Sequence, residues 1–214
     1  IYICFLLQRY FSDYIVYLKI IVNTLAQSYE YTNKIIETEK LEGEKSALTR
    51  LSRTDELTGI LNRRGFIERG QTALDLMQET DMVGVVFFAD MDGLKKINDT
   101  YGHEVGDLAI KTQAMALKEV FRSTDVVGRL SGDEFGIVAV GMNLIQVDRV
   151  RLKLDMMNEK LSRENNLPFT LSVSLGAVDL QKSSILKKLL SDADKSLYEE
   201  KRKKRHARLS ENSK

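Results

Sequence analysis

The sequence predicts an α+β domain, a central mixed sheet of about five strands with helices on its faces, preceded by a long N-terminal helix. Three observations carry that prediction. Tyr10–Ser52 holds no proline and a single glycine, Gly43, and repeats apolar residues at helical steps. Beyond it, apolar runs of strand length are interleaved with stretches of helical periodicity. Two of the strand-like runs are separated only by Ser131–Glu134, the spacing of a hairpin.

Taken in order, Ile1–Leu7 (IYICFLL) is apolar and is stopped by Gln8 and Arg9. It reads as the last strand of a missing upstream domain or as the stub of a membrane helix. The first reading is favoured because Tyr10–Tyr17 stays amphipathic and carries Asp13. Leu18, Ile21, Leu25, Thr32 and Ile35 then recur as on one face of a helix, and Glu37–Lys45 is densely charged. Residues 1–52 are therefore read as a helical linker left from an upstream sensor region. Pairing of such helices as a coiled coil would hold two copies of the following domain together. Thr54–Asn62 (TDELTGILN) supplies the turn and cap chemistry that ends it.

Within the domain, Gly65–Met77 reads as a helix. Met82–Ala89 (MVGVVFFA) is an unbroken apolar run, hence a central strand buried on both faces. Residues 104–121 carry Ile110, Ala114, Leu117 and Phe121 on one helical stripe. Val126–Leu130 and Phe135–Val140 form the hairpin. Val147, Val150, Leu154, Met157 and Leu161 mark an amphipathic helix. Phe169–Val178 alternates like a strand, and Ile185–Lys204 is the last helix. The domain is placed at residues 53–208, with 209–214 as a polar tail.

Composition narrows the function. Lysine and arginine number 32 against 31 acidic residues, a net charge of +1, which does not support a general nucleic-acid binder. The one cysteine, Cys4, has no partner for an internal disulfide, so a reducing, cytoplasmic compartment is expected. The chain starts at Ile1, so it is read as a piece of a longer parent whose membrane attachment is left open.

The chemistry collects at strand ends. Asp90 closes the most hydrophobic strand, where a carboxylate is either a turn former or a metal ligand on a rigid platform. Ser131-Gly132-Asp133-Glu134 adds two adjacent acids at a hairpin tip, beside a glycine that obstructs nothing. Such carboxylates repel one another unless a cation neutralises them. Mg²⁺ suits the task because it takes a few carboxylates and completes its shell with phosphate oxygens and water. The pattern points to a metal-dependent phosphoryl or nucleotidyl transferase.

Five ordered motifs make the reading specific: DELTGILNRRGF (Asp55–Phe66), DMDGLKKINDTYGHEVGD (Asp90–Asp107), RSTDVVGRLSGDEF (Arg122–Phe135), SVSLGA (Ser172–Ala177) and ADKSLYEEKRKKR (Ala193–Arg205). Through them the sequence resembles the GGDEF family of diguanylate cyclases. The resemblance implies a palm-like α+β domain that condenses two GTP molecules into cyclic di-GMP. It implies that Asp90, Asp133 and the Met91 carbonyl hold Mg²⁺, with Mn²⁺ as the alternative ion. Glu134 is implied as a metal ligand or as a participant in deprotonating the attacking 3′-hydroxyl. Asn98 and Asp107 are implied to read guanine, since an amide and an acceptor-only carboxylate complement its carbonyl and its N–H donors. Lys95, Lys201 and Arg205 are implied around the triphosphate. His103 is read as structural.

Arg122 and Asp125, beginning nine residues ahead of Ser131, match the family's inhibitory product site. The bland alternative is a helix-terminal arginine paired with a nearby acid. The departures are Ser131 for the first signature glycine, Leu94 for phenylalanine, and Glu200 and Lys204 for the usual small residues. If Ser131 needed a positive φ, the substitution would cost about 1 kcal/mol. The implied partners are GTP, cyclic di-GMP as product and inhibitor, a second copy of the chain and the missing sensor domain. Rival readings are a cyclic di-GMP receptor, a cyclase of different base preference and a dimerisation module.

Overall fold

The structure is a computed structural model that describes residues 14–15, 18–19, 21–40, 53–180 and 185–211, the last helix with side chains as far as Arg202. Ile1–Leu7 with Cys4, the charged stretch beyond Lys40 and the link to residue 52 lie outside the described residues. The chain divides into two units, Ile1–Arg50 and Leu51–Lys214.

In the first unit residues 21–40 are helical. Its apolar side chains face solvent: Leu25 is 65% exposed, and Ile21, Val22, Tyr29, Ile35 and Ile36 are exposed with it. Among the described residues no helix is long and apolar enough to cross a membrane.

The second unit is a four-stranded sheet in the order β2-β3-β1-β4, built from β1 (Gly84–Met91), β2 (Val126–Ser131), β3 (Glu134–Val140) and β4 (Val173–Asp179). The expected count of about five strands is corrected to four. The expected mixed sheet is corrected too, because every strand pair is antiparallel. Among the described residues the only parallel pairing is an isolated bridge between Leu61 and Gly128. The strand expected from Phe169 begins at Val173. Before it, Phe169 packs on Tyr101 at 5.3 Å, and the Leu171 N–H is taken by the Ser162 hydroxyl at 3.0 Å, so these residues do not join the ladder.

The helices are α1 (Arg63–Glu79), α2 (Leu94–Tyr101), α3 (His103–Val120), α4 (Val147–Glu164) and α5 (Leu186–Glu211). Asn62 caps α1 by accepting the Gly65 N–H at 2.9 Å. Helix α5 runs to Glu211, three residues into the stretch read as a polar tail.

Alternation along β1 sorts the core into two layers. Val85, Phe87, Ala89 and Met91 pack with Ala114 and Leu117 of α3 and Val150 and Leu154 of α4. Val86 packs on the other face with Phe66, Leu74 and Met77 of α1 and Leu186 and Leu189 of α5. Phe66 is fully buried against the cross-strand pair Gly128 and Gly136: a Cβ at Gly128 would stand 2.6 Å from the Phe66 Cβ, and one at Gly136 2.7 Å from its ring. This close approach seats α1 on the hairpin. By the same alternation Asp90 faces the α1/α5 layer, and that decides which helix can reach it.

Candidate active site

Strand register assembles the acidic end of the site. Asp90, the penultimate residue of β1, is directly opposite Glu134, the first residue of β3. The β2–β3 turn is tied to β1 by the Met91 N–H, which donates to the Asp133 carbonyl at 3.0 Å. Asp90, Met91, Asp133 and Glu134 therefore meet at one sheet end, as the motifs imply. The Met91 side chain is buried in the α3/α4 layer, so only its backbone is available to a ligand.

Carboxylates directly opposite one another are unfavourable without a cation. Here Lys201 of α5 supplies one, its Nζ 2.5 Å from Asp90 Oδ1. Burial still pushes the Asp90 carboxyl above its ordinary range. The Asp133 and Asp92 charges act in the same sense, and Lys201 opposes them. Glu134 is held by the Ser131 hydroxyl, which donates to its carboxylate. Ser131 is not among the residues with positive φ; Gly132 carries that conformation, at +30°. The backbone strain conditionally expected of Ser131 is absent, and its hydroxyl adds a contact that glycine lacks.

Among the described residues no three carboxylate, imidazole or thiol groups converge closely enough to form a ready-made metal cage. The donor set instead suits an ion that arrives with its own oxygen ligands: carboxylates at a strand end, a turn and a neighbouring strand, with a backbone carbonyl beside them.

Two supports went unread in the sequence. Asp92 accepts the Ser172 and Ser174 hydroxyls at 2.7 and 2.9 Å, and its N–H donates to the Ser172 carbonyl at 2.8 Å. This pins the segment after Asp90 to β4; the alternating serines of SVSLGA were the available signal. On the other side of the hairpin, Arg129 donates to both Asp55 oxygens at 3.1 and 3.2 Å and to the Gly132 carbonyl at 2.9 Å. Arg129 and Asp55 lie 74 residues apart, so no local pattern announces their pairing. Glu200, where the family usually has a small residue, pairs with Arg151 of α4 beside the β4 edge. Arg151 also donates to the Leu175 carbonyl at 2.8 Å.

The base-reading candidates come from two helices joined at Gly102, whose φ of 84° and ψ of 164° are essentially reserved for glycine. Asn98 is half-buried in the last turn of α2, and Asp107 is exposed near the start of α3. Lys95 is exposed in the first turn of α2. Arg205 belongs to α5, but its side chain lies outside the described residues. His103 opens α3 and is exposed.

Arg122 and Asp125 lie at the far end of the hairpin. The carboxylate of Asp125 accepts the Arg122 N–H at 2.8 Å and the Val140 N–H at 2.9 Å. It therefore closes the turn before β2 and secures the end of β3, while each oxygen retains a second lone pair. The Arg122 side chain is exposed.

Comparison with known proteins identifies the family of the domain. The family model described as "Diguanylate cyclase, GGDEF domain" matches residues 52–207. The probable diguanylate cyclase DgcC of Escherichia coli (strain K12) is 32% identical over 176 residues, covering 82% of this chain and 46% of that protein. The GGDEF-only fragment of TpbB (YfiN) from Pseudomonas aeruginosa is 30% identical, covering 70% of this chain and 89% of that one, with a TM-score of 0.63. The coiled coil and GGDEF domain of DgcB from Caulobacter crescentus, solved with c-di-GMP, shares the fold at a TM-score of 0.69 and 22% identity, covering 82% and 94% of the two chains. The chain spans about half the length of the curated relatives it matches. A family model covering most of the chain, over a fold with its acids gathered at one sheet end, leads to one assignment: the chain belongs to the GGDEF-domain family of diguanylate cyclases.

Proposed function

We propose that this chain condenses two GTP molecules into cyclic di-GMP, releasing two pyrophosphates, in a two-fold dimer whose copies each hold one GTP. The single observation that carries the proposal is the Asp90–Glu134 register, with the Asp133 turn stitched to the end of β1. Asp90, Asp133, Glu134 and the Met91 carbonyl would hold Mg²⁺ or Mn²⁺. The ion, when bound, supplies positive charge where negative charge builds at the α-phosphate.

The protein's own part is positioning. Asn98 and Asp107 bind the guanine. Lys95, Lys201 and Arg205 take the triphosphate, Lys201 exchanging its Asp90 contact for phosphate oxygens. The 3′-hydroxyl of one GTP then meets the α-phosphate of the other. Its oxygen forms a bond to that phosphorus, the bond to the bridging oxygen of the β-phosphate breaks, and pyrophosphate leaves with the electron pair. The hydroxyl proton goes to solvent or to Glu134, whose two candidate roles a pH–rate profile separates. The step occurs twice. A single copy holds half the reactants, so the rate depends on bringing two copies together.

The exposed apolar side chains of residues 21–40 support residues 1–52 as the segment that pairs the copies, with the catalytic domain at 53–208. Arg122 and Asp125 are proposed as the feedback site: the guanidinium forks onto a phosphate or guanine of cyclic di-GMP, and the carboxylate's remaining lone pairs take a guanine donor.

The test is incubation of the chain with GTP and Mg²⁺, with the products separated by chromatography. The expected result is cyclic di-GMP and pyrophosphate, at a rate per molecule that rises with protein concentration. Cyclic di-GMP binding without turnover at any protein concentration would favour the receptor reading instead.

A further inference from the structure

Gly106 stands in the first turn of α3 and is buried. It is not among the glycines with positive φ, so the backbone there does not require glycine. Glycine is also the poorest helix former after proline, and alanine the best. Something other than local conformation accounts for it.

The space beside Gly106 is already taken. A Cβ at that position would stand 1.8 Å from Asn98 Oδ1 and 3.0 Å from Asn98 Cγ, whereas Nδ2 lies farther off at 3.6 Å. The contact exists because Gly102 turns the chain sharply between the two helices. Its N–H closes the last turn of α2 on the Asn98 carbonyl at 2.9 Å, and its carbonyl accepts the Gly106 N–H at 3.2 Å. The last turn of α2 and the first turn of α3 thus face each other, with the Asn98 carboxamide laid over the bare Cα of Gly106.

We propose that Gly106 is a specificity-determining positioning residue, fixing which end of the Asn98 carboxamide is presented to the base. The inference rests on the reading of Asn98 and Asp107 as the guanine-binding pair. With Oδ1 turned against Gly106, where a Cα–H can face it but an amide N–H would be opposed, the Nδ2 donors are the end of the carboxamide turned from Gly106. Guanine offers the acceptors O6 and N7 to such donors and its N–H groups to the acceptor-only carboxylate of Asp107, one residue along the chain. Adenine has an amino donor where guanine has O6. A freely turning carboxamide could present Oδ1 to that amino group; a fixed one leaves donor facing donor. Gly106 thereby converts a versatile side chain into a discriminating one.

The test is a double-mutant cycle on the full chain with Gly106→Ala, Asn98→Ala and both together. It measures KM and kcat for GTP, inhibition by ATP and melting temperature. Gly106→Ala is expected to raise KM for GTP by about tenfold or more, with a smaller change in kcat, and to narrow the preference over ATP. In the Asn98→Ala background the added methyl meets no carboxamide. There Gly106→Ala is expected to leave KM unchanged and the melting temperature equal or higher, as alanine in a helix should. A Gly106→Ala protein that behaves like the parent overturns the proposal. So does one that is impaired, or unfolded, equally in both backgrounds, because the glycine then serves helix packing. If Asn98→Ala alone leaves GTP kinetics untouched, the guanine reading itself falls and takes this inference with it. If Asn98→Ala is impaired but Gly106→Ala is not, only the role of Gly106 is lost.

Discussion

Asp55 and Asp90 flank the same β2–β3 hairpin, each partly buried and each facing a cation, yet their acidities move in opposite directions. Burial raises the Asp55 carboxyl, but hydrogen bonds from Thr58 and Arg129 outweigh it and hold the group below its ordinary value. Asp90 has one partner, Lys201, and two acidic neighbours, and burial prevails. The first arrangement is what a carboxylate needs to secure a fold. The second leaves a carboxylate whose charge is incompletely answered, which is what a site for an incoming cation and a triphosphate requires. Stability is given up on one side of the hairpin and gathered on the other.

The comparison breaks most easily at the hairpin tip. Asp133→Ala is expected to lower cyclic di-GMP synthesis about a hundredfold or more, the loss of ~2.7 kcal/mol of transition-state stabilisation. The Asp133 carbonyl, which ties the turn to Met91, survives the substitution, so the melting temperature should hold. Initial rates and thermal melts on the same preparation check both. Retained activity would make the tip structural like Asp55.

The hairpin's other end puts the same question within four residues, between the exposed Arg122 and Asp125, whose carboxylate also holds the turn. Arg122→Ala is expected to weaken cyclic di-GMP binding by roughly ten- to a hundredfold, through charge-assisted hydrogen bonds worth about 1.5–3 kcal/mol. Its initial turnover and stability should change little. Asp125→Ala, by contrast, strands the N–H groups of Arg122 and Val140 and should lower the unfolding free energy as well. Progress curves with and without added product, alongside urea titrations, separate the two. If Arg122→Ala stalls at the same product level as the parent, Arg122 is structural too.

The legible parts of this molecule were those written in local pattern. The MVGVVFFA run became β1, and the three- and four-residue steps from Val147 to Leu161 became α4. The carboxylates drew notice because acids at strand ends are conspicuous. Helix α2 was not foreseen: it is eight residues long, lies between Gly93 and Gly102, and has only Leu94 buried, too little for a periodic signal. Phe169–Leu171 alternates like a strand, but Phe169 packs on Tyr101 and the Leu171 N–H goes to Ser162, a tertiary decision. The bonds of Asp55 to Arg129, of Asp92 to Ser172 and Ser174, and of Asp125 to the Val140 N–H were hidden for the same reason: their partners are distant in sequence and are brought near by the fold.

Asp55 gives the next smaller effect. Asp55→Asn should cost about 1–3 kcal/mol near neutral pH, because the largely buried Arg129 loses its carboxylate. The folded carboxyl is more acidic than the unfolded one. Its contribution is therefore complete above the unfolded pKa near 4 and disappears as pH falls through the lower folded value. Urea unfolding of the parent and Asp55→Asn should show curves that converge below about pH 4. A gap that stays constant with pH would mean that geometry, not charge, is what Asp55 supplies.

Asp90 should show the smallest effect on stability, with the opposite sign. Its folded carboxyl is less acidic than the unfolded one, so the protonated form is the one folding favours. That stabilising contribution is fully present below the unfolded pKa near 4 and is lost as pH rises through the folded value. At neutral pH the ionised group is a net cost, which neutral asparagine should relieve. Lys201 loses its partner in Asp90→Asn, but 27% of its side chain is already exposed, so its ammonium can turn to solvent. The variant is expected to be inactive yet more stable at pH 7 by up to about 1 kcal/mol, with the advantage gone below pH ~4. Urea midpoints at the two pH values decide it. Should Asp90→Asn be the less stable protein at pH 7, the Lys201 contact outweighs burial, and Asp90 belongs with Asp55 as a carboxylate that holds the fold together.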